Sequence, residues 1–196
     1  MKKALLLLAA FVVCGYGFSQ DTTTSHKKPA TLGIQFIFND FQTATAIRNS
    51  SLASVIRDKR LAHLKNMSPG LAINYLKGLN NTFDFSSSLE MSFLDYPIQG
   101  KPAFGSSKLL LEATAMINAK MLPDNFYFVP YLSAGLGVSK YQGYYGTFLP
   151  VGGGIQINVF NEAFFFINSQ YRIKVADNTN YHFFASIGFA GTIKSK

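Results

Sequence analysis

From Ala30 onward, apolar and polar side chains alternate in segments of about ten residues, and this alternation constrains the fold more than any other feature. A period of two places successive side chains on opposite faces of a β-strand. Eight such segments, each bounded by turn-forming residues, cover residues 31–39, 70–78, 83–93, 111–120, 126–139, 152–159, 165–174 and 182–193. An even number of antiparallel strands can close without leaving an unpaired edge. The pattern therefore predicts an all-β, eight-stranded antiparallel barrel.

Alternation alone does not say which face of a strand points inward. In a soluble, lipocalin-like barrel the apolar face lines the interior, and the water-facing polar face needs many Lys and Glu. Here the polar face is mostly Ser, Asn, Gln, Thr and Gly. Only 14% of all residues are charged, against roughly 25% in a typical soluble domain. We therefore expect the apolar face to meet lipid, which makes the chain a transmembrane barrel.

The connections between the segments alternate in length. Tight turns are predicted at residues 79–82, 122–125 and 160–163, where Asn, Pro and Asp are turn formers. Longer connections are predicted at residues 40–68, 95–106, 140–146 and 176–180. In outer-membrane barrels the short turns face the periplasm and the longer loops face outward. We expect the same arrangement here, with the long loop 40–68 outside the cell.

The first residues are typical of an export signal. Lys2 and Lys3 precede an apolar run of ten residues, 4–13, and small residues follow at Gly17 and Ser19. Ten residues cannot span a hydrocarbon core, which needs about 20 in a helix. We therefore predict a cleaved signal peptide at residues 1–19, a solvated periplasmic leader at 20–29 and the barrel at 30–196.

The single cysteine, Cys14, lies inside that signal. The mature chain would then have no cysteine, which excludes disulfides and thiolate zinc sites. Acylation of Cys14 as a lipoprotein is the alternative, although Val13 is larger than the residue that usually precedes such a cysteine. Loss of Lys2 and Lys3 lowers the net charge from +8 to +6.

These features resemble the small outer-membrane barrels of the OmpA and OmpX type, in particular the stand-alone porin-like barrels of Bacteroidota. The resemblance rests on the signal, on residues 36–40 before a long first loop, on residues 68–78 and on the last strand, 181–193. It implies a place in the cell outer membrane, assembly by the barrel assembly machinery, and contact with outer-membrane lipid and lipopolysaccharide. The chain ends at Lys196 and not at an aromatic residue, so we expect Phe189 and Ile193 to serve as the assembly signal.

Charged residues on the polar face should lie in the lumen. They are Glu90, Glu112, Lys120, Arg172 and Lys174. Charges in a narrow, low-dielectric interior must pair, and an eight-stranded barrel is only wide enough for side chains to fill. We therefore expect an ion-pair network that plugs the barrel. The alternative is a narrow pore for ions or small solutes, gated by the same charges.

The first long loop combines helical spacing with positive charge. Leu52, Val55, Ile56 and Leu64 recur at roughly helical spacing after a candidate N-cap at Ser50 or Ser51. Its cations, set against Asp58 alone, are Arg48, Arg57, Lys59, Arg60 and Lys65. A basic amphipathic helix is typical of anion or membrane-surface binding. The loop is predicted either to contact lipopolysaccharide phosphates or to form a solvated cap over the barrel. Nucleic acid does not fit the compartment.

A lipid-A-modifying enzyme is the remaining class of function. The candidate bases are His63 in the first loop and His182 in the eighth segment, where Ser186 shares the polar face. Four residues at about 3.4 Å each separate that pair too widely for a hydrogen bond. No candidate ligands recur at metal spacing. The sequence therefore predicts a non-enzymatic barrel without metal or cofactor, which acts through its structure or through surface interactions with an unspecified partner.

Overall fold

The computed structural model of the chain describes residues 27–58, 67–94, 108–159 and 162–193. Its strands are β1 Thr31–Asp40, β2 Ser68–Gly78, β3 Phe83–Phe93, β4 Leu109–Lys120, β5 Phe128–Tyr141, β6 Tyr144–Val159, β7 Ala163–Lys174 and β8 His182–Thr192. Each strand pairs antiparallel with the next, and β8 pairs with β1 to close the barrel. The predicted eight-stranded antiparallel barrel is confirmed. Within these ranges, no helix has the length and apolar character needed to cross a membrane.

The strands turn their apolar faces outward. Phe36, Leu89, Leu136 and Phe189 are 58%, 61%, 68% and 62% exposed. The side chains that alternate with them point into the barrel, as the burial pattern of β1 illustrates. Most of these are polar or small, but large apolar side chains such as Ile37, Phe148 and Phe184 are buried there too. Each Å² of apolar surface left in water costs about 25 cal/mol of free energy relative to an apolar environment. Lipid provides such an environment for these side chains. The orientation is that of a transmembrane barrel and contradicts the lipocalin-like alternative.

The two ends of the barrel differ. At one end, called the turn end, the connections are residues 79–82, 121–127 and 160–162. At the other, called the loop end, they are residues 41–67, 94–108, 142–143 and 175–181. The first turn is closed by Asn80, whose side-chain oxygen accepts hydrogen bonds from the backbone N–H groups of Thr82 at 2.8 Å and Phe83 at 2.6 Å. The two longest connections, 41–67 and 94–108, thus lie at the loop end, whereas the predicted tight turn at 122–125 is a seven-residue connection, 121–127.

One predicted loop is wrong. Residues 140–146 are not a longer connection, because β5 runs to Tyr141 and β6 begins at Tyr144. The turn consists of Gln142 and Gly143, with φ of 46° and 83°. Positive φ at both central residues gives a two-residue hairpin a twist that matches its strands. The extended tips of β5 and β6 therefore stand at the loop end where a longer connection was expected.

The first long connection contains two helices. α1, Phe41–Asn49, was not predicted; the side chain of Asp40 caps it by accepting from the backbone N–H of Thr43 at 2.8 Å. α2, Leu52–Arg57, lies where helical spacing was noted, and Ser51 caps it in a reciprocal pair with Ser54. Phe41 and Ala44 are buried, so α1 is held by its contacts with the barrel mouth.

Candidate functional site

The lumen holds two charged clusters, and the first lies toward the loop end. We call it the arginine cluster: Arg172 of β7, Glu90 of β3, Glu112 of β4 and His182 of β8. The Arg172 guanidinium donates from Nη2 to Glu90 Oε2 at 2.7 Å and from Nη1 to Glu112 Oε2 at 2.6 Å. Arg172 is 0% exposed and the two carboxylates are 2% and 3% exposed. One guanidinium therefore links strands from opposite sides of the barrel.

The strand register explains why this arginine is needed. Glu90 and Glu112 are direct partners across β3 and β4, and like charges facing each other on one side of a sheet are destabilising. A planar guanidinium offers several donors in a fixed fork, so Arg172 can serve both carboxylates at once. Ser88 also donates to Glu90 Oε1 at 2.5 Å. The two glutamates thus accept hydrogen bonds from one shared guanidinium, and Glu90 also accepts one from a hydroxyl.

Aromatic rings enclose the guanidinium. Its Cζ lies 3.8 Å from the ring centroid of Phe184 and 5.0 Å from that of Phe148. Phe148 has room because Gly137 stands opposite it, where a Cβ would come within 2.3 Å of the ring. Cation–π contacts of this kind are worth about 2 kcal/mol when desolvated. The rings and the ion pairs together close the lumen at this level.

His182 completes the arginine cluster and is not placed as a catalytic base. Its Nδ1 lies 3.0 Å from the backbone carbonyl of Asn180, which can only accept, so Nδ1 carries the proton. Its Nε2 lies 3.6 Å from Glu112 Oε1. The Phe41 ring of α1 stacks on the imidazole at a centroid distance of 4.3 Å. His182 therefore connects the first helix to the charges inside the barrel.

The second cluster lies at the turn end. We call it the lysine cluster: Lys28, Lys120 of β4, Asp84 of β3 and Asp124 of the second turn. Lys120 Nζ lies 2.8 Å from Asp84 and also pairs with Asp124. Lys28 pairs with Asp84, lies 3.6 Å from Asp124, and donates to the side-chain oxygen of Gln156. All four side chains are at most 9% exposed. Two cations and two carboxylates thus balance in charge.

Lys28 corrects the prediction of a solvated leader. It was placed in the segment 20–29, yet its side chain is buried inside the turn end. Its backbone carbonyl accepts from the N–H of Gly78 at 3.1 Å, and its ammonium lies 5.3 Å from the Phe164 ring centroid. Residues 20–26 and the predicted signal 1–19 lie outside the described residues. The described end of the leader is part of the barrel's plug.

The second turn folds into the lumen to complete this plug. Gln156 donates to Asp124 Oδ1 at 3.1 Å. Asn158 donates to the backbone carbonyls of Asp124 and Phe126, both at 2.7 Å. These amides on β6 hold Asp124 in place between the two lysines. The turn end is therefore closed by side chains from the leader, three strands and a turn.

Little space remains between the clusters. The cavity there has a volume of about 40 Å³ and is lined by residues such as Ser86, Asn118, Tyr131 and Gln170. A cavity needs roughly 10–15 Å³ on this measure for one water, so it has room for a few waters. Along β4, Glu112 and Lys120 are eight residues apart, which is roughly 26 Å of strand. The lumen is closed at two well-separated levels.

The structure divides the predicted lumen network. It brings together Glu90, Glu112 and Arg172, whereas Lys120 belongs to the lysine cluster. Lys174 is half-buried at the end of β7 and forms no ion pair with any residue that the structure describes. Sequence reasoning did not place Lys28, Asp84 or Asp124 in the network. Asp84 lies on the polar face of the third segment, and this position could have placed it in the lumen network.

The predicted anion-contact residues are only partly described. Arg48 is exposed on α1 with its guanidinium 3.9 Å from the Tyr181 ring centroid. Arg57 ends α2, is 80% exposed in its side chain, and lies 3.5 Å from Asp58. Lys59, Arg60 and Lys65 lie outside the described residues, as does His63. Within the described ranges no group of three or more His, Cys, Asp or Glu residues could hold a metal ion.

Comparisons with known proteins reach only the fold. No family model and no curated protein matches the sequence. The outer membrane protein OprG from Pseudomonas aeruginosa is similar in structure, with TM-score 0.55 and 11% identity over 87% of this chain and 98% of that one. Neisserial surface protein A is similar too, with TM-score 0.51 and 13% identity over 84% of this chain and 96% of that one. These likenesses establish the fold as that of small outer-membrane barrels.

Proposed function

We propose that this chain is a non-enzymatic integral protein of the outer membrane, which acts through its loop end and not by conduction. The closure of the lumen at two levels carries this proposal. The apolar exterior supports the membrane location, and the position of the two longest connections at the loop end supports a periplasmic turn end. Assembly by the barrel assembly machinery accords with Phe189 on β8 and Ile193 just after it, which are 62% and 49% exposed. The export signal and the assignment to barrels of Bacteroidota stay predictions.

Pore function is the alternative that the closed lumen disfavours. An ion would have to separate Arg172 from its carboxylates and then pass the lysine cluster. We expect the mature protein, refolded from Gln20 onward, to show no steady single-channel openings in planar bilayers. Insertion is checked independently by its resistance to protease in vesicles. Steady openings from inserted wild-type protein would overturn the proposal and make the charged clusters a gate.

An enzymatic role is not supported by the geometry of His182. The contacts found for it are a backbone carbonyl, a carboxylate and two phenylalanine rings. A catalytic base needs a nucleophile or a reacting group within hydrogen-bond reach, and a ring that is 1% exposed offers little access to one. The histidine is better explained as part of the plug.

The loop end offers a surface suited to phosphorylated sugars. Arg48 lies over Tyr181, and Tyr181 stacks with Tyr171 at a centroid distance of 6.1 Å. Arginine forks bind phosphate oxygens well, and aromatic rings hold the guanidinium in place. Arg57 adds a second exposed cation at the end of α2. We propose the phosphorylated oligosaccharide of lipopolysaccharide as the partner of this surface.

Replacing both arginines tests this surface. We expect Arg48→Gln with Arg57→Gln to weaken binding of deacylated, phosphorylated lipopolysaccharide at least tenfold, since each exposed cation near an anionic surface contributes about 1 kcal/mol. Binding is measured by isothermal titration of the refolded protein in detergent. The control is Lys77→Gln, an exposed lysine of β2 near the turn end. Equal binding by all three proteins would refute the proposed contact.

A further inference from the structure

A groove on the outer wall of the barrel is lined mainly by outward-facing side chains, and the lumen-facing Glu112 and Ser139 also border it. It does not include Arg48 of α1 or Arg57 of α2, which form what we call the arginine surface. It has a volume of about 470 Å³, which lies within the roughly 300–1,000 Å³ of ligand pockets. Its lining is mostly apolar and comes from β3, β4, β5 and β6 near the loop end; it includes Leu89, Leu111, Ala113, Val138, Lys140 and Tyr145. We call it the wall groove.

The groove follows from the sizes of neighbouring side chains. Ala113 is the direct partner of Leu89 on one side and of Val138 on the other. Leu89 and Val138 stand out from the wall at 61% and 53% exposure. The single methyl group of Ala113 between them leaves a furrow. Because these side chains all face outward, the furrow opens into the lipid and not into the lumen.

The wall groove carries a positive charge on its loop-end side. Lys140 is exposed at the tip of β5 and lies 5.4 Å, measured from Nζ, from the Tyr145 ring centroid. Tyr145 is the direct partner of Lys140 on β6 and is 66% exposed. Tyrosine rings favour the membrane interface, and a lysine there can reach the headgroup layer. The wall groove thus has a cation at the membrane interface and an apolar lining deeper in the same leaflet.

We propose that the wall groove binds one molecule of lipopolysaccharide from the outer leaflet, with an acyl chain in the furrow and a lipid A phosphate on Lys140. Charge complementarity at the rim and the apolar lining below it match a phosphorylated, acylated glycolipid. The proposal rests on the outer-membrane location given under the proposed function. It does not depend on the arginine surface, which would contact the oligosaccharide from the opposite side of the mouth.

Two substitutions test the two halves of the wall groove. Lys140→Gln removes the phosphate contact, and Ala113→Leu fills the furrow with a side chain that still faces lipid. Both are made in the Arg48→Gln, Arg57→Gln background, so that the arginine surface cannot contribute. Lys77→Gln, an outward lysine at the turn end, is the matched control. Bound lipopolysaccharide is counted by native mass spectrometry of the refolded protein in detergent.

We expect one lipopolysaccharide to be retained by the background protein and by the Lys77→Gln control. Lys140→Gln should weaken retention about fivefold, as expected for one lysine near an anionic surface. Ala113→Leu should also weaken it, because the larger side chain fills the furrow, and the pair should weaken it more. Unchanged retention in both groove variants overturns the proposal. Equal retention of phosphatidylglycerol overturns the choice of glycolipid. If the Arg48→Gln, Arg57→Gln variant binds deacylated lipopolysaccharide as tightly as wild type, only the proposed function of the loop end is overturned.

Discussion

Replacing Arg172 with Ala should lower the free energy of unfolding by about 3–5 kcal/mol, the cost of leaving buried charges without their partner. Glu90 and Glu112 would then face each other across β3 and β4 at 2% and 3% exposure without the guanidinium that joins them. The rings of Phe148 and Phe184 would also lose the group they enclose. Urea unfolding in lipid vesicles, followed by circular dichroism, measures the effect.

Matched variants separate the charge of Arg172 from its shape. Arg172→Lys keeps a cation but loses the planar fork, so its loss of stability should be smaller than that of Arg172→Ala. The triple variant Glu90→Gln, Glu112→Gln, Arg172→Met removes every charge and should come within about 1 kcal/mol of wild type, because neutral replacement of a buried ion-pair network is often tolerated. A stable Arg172→Ala protein would contradict the structural role. New steady conductance in that variant would instead identify a gate.

The barrel could be predicted because its signal repeats. The predicted segments alternate over about eight to fourteen residues, as Phe83–Phe93 does, and a period of two fixes both the strand and the face of each side chain. Turn chemistry at residues 79–82 and the even number of strands then favoured the closed barrel that the structure shows. The scarcity of charge on the polar face indicated which face meets lipid. None of these steps needs a contact between distant residues.

The charged clusters could not be predicted in full, because the alternation of apolar and polar residues does not give the register between strands. Pairing Glu90 with Glu112 depends on the register of β3 and β4, and the connection between them is too long to fix it from sequence. Lys120 was grouped with these glutamates because it shares their face, although eight residues of β4 separate it from Glu112. Spacing along one strand could have shown that distance. Lys28 gave no such signal, since its burial depends on how the leader turns beneath the barrel.

The helix and the hairpin at the loop end were missed for local reasons. α1 contains Thr43, Thr45 and Ile47, which are β-branched and weak helix formers. Its formation depends on Phe41 and other buried contacts at the mouth. Tertiary packing therefore overrides propensity there. The turn at Gln142 and Gly143 lacks the Asn-Gly or Asp-Gly pair that normally identifies a two-residue hairpin, so the sequence there does not indicate a tight turn.

Replacing Asp84 with Ala should have the second large effect, again a loss of about 3–5 kcal/mol in the free energy of unfolding. Asp84 is 1% exposed and pairs with both Lys28 and Lys120. Without it, two buried ammonium groups would share the single carboxylate of Asp124. Asp84→Asn keeps the shape and should lose nearly as much, because the missing charge is the main cause. The same urea unfolding in vesicles measures both variants.

A second substitution should restore part of that stability. Lys28→Met removes one of the two cations, so in the double variant Asp84→Asn, Lys28→Met the remaining Lys120 and Asp124 balance in charge. We expect the double variant to be at least about 1 kcal/mol more stable than the sum of the single effects predicts, the coupling usual for residues in one ion-pair network. Additive effects would mean that Lys28 does not share the lysine cluster with Asp84. The arginine cluster is untouched by these changes, so all of these variants should stay closed in planar bilayers.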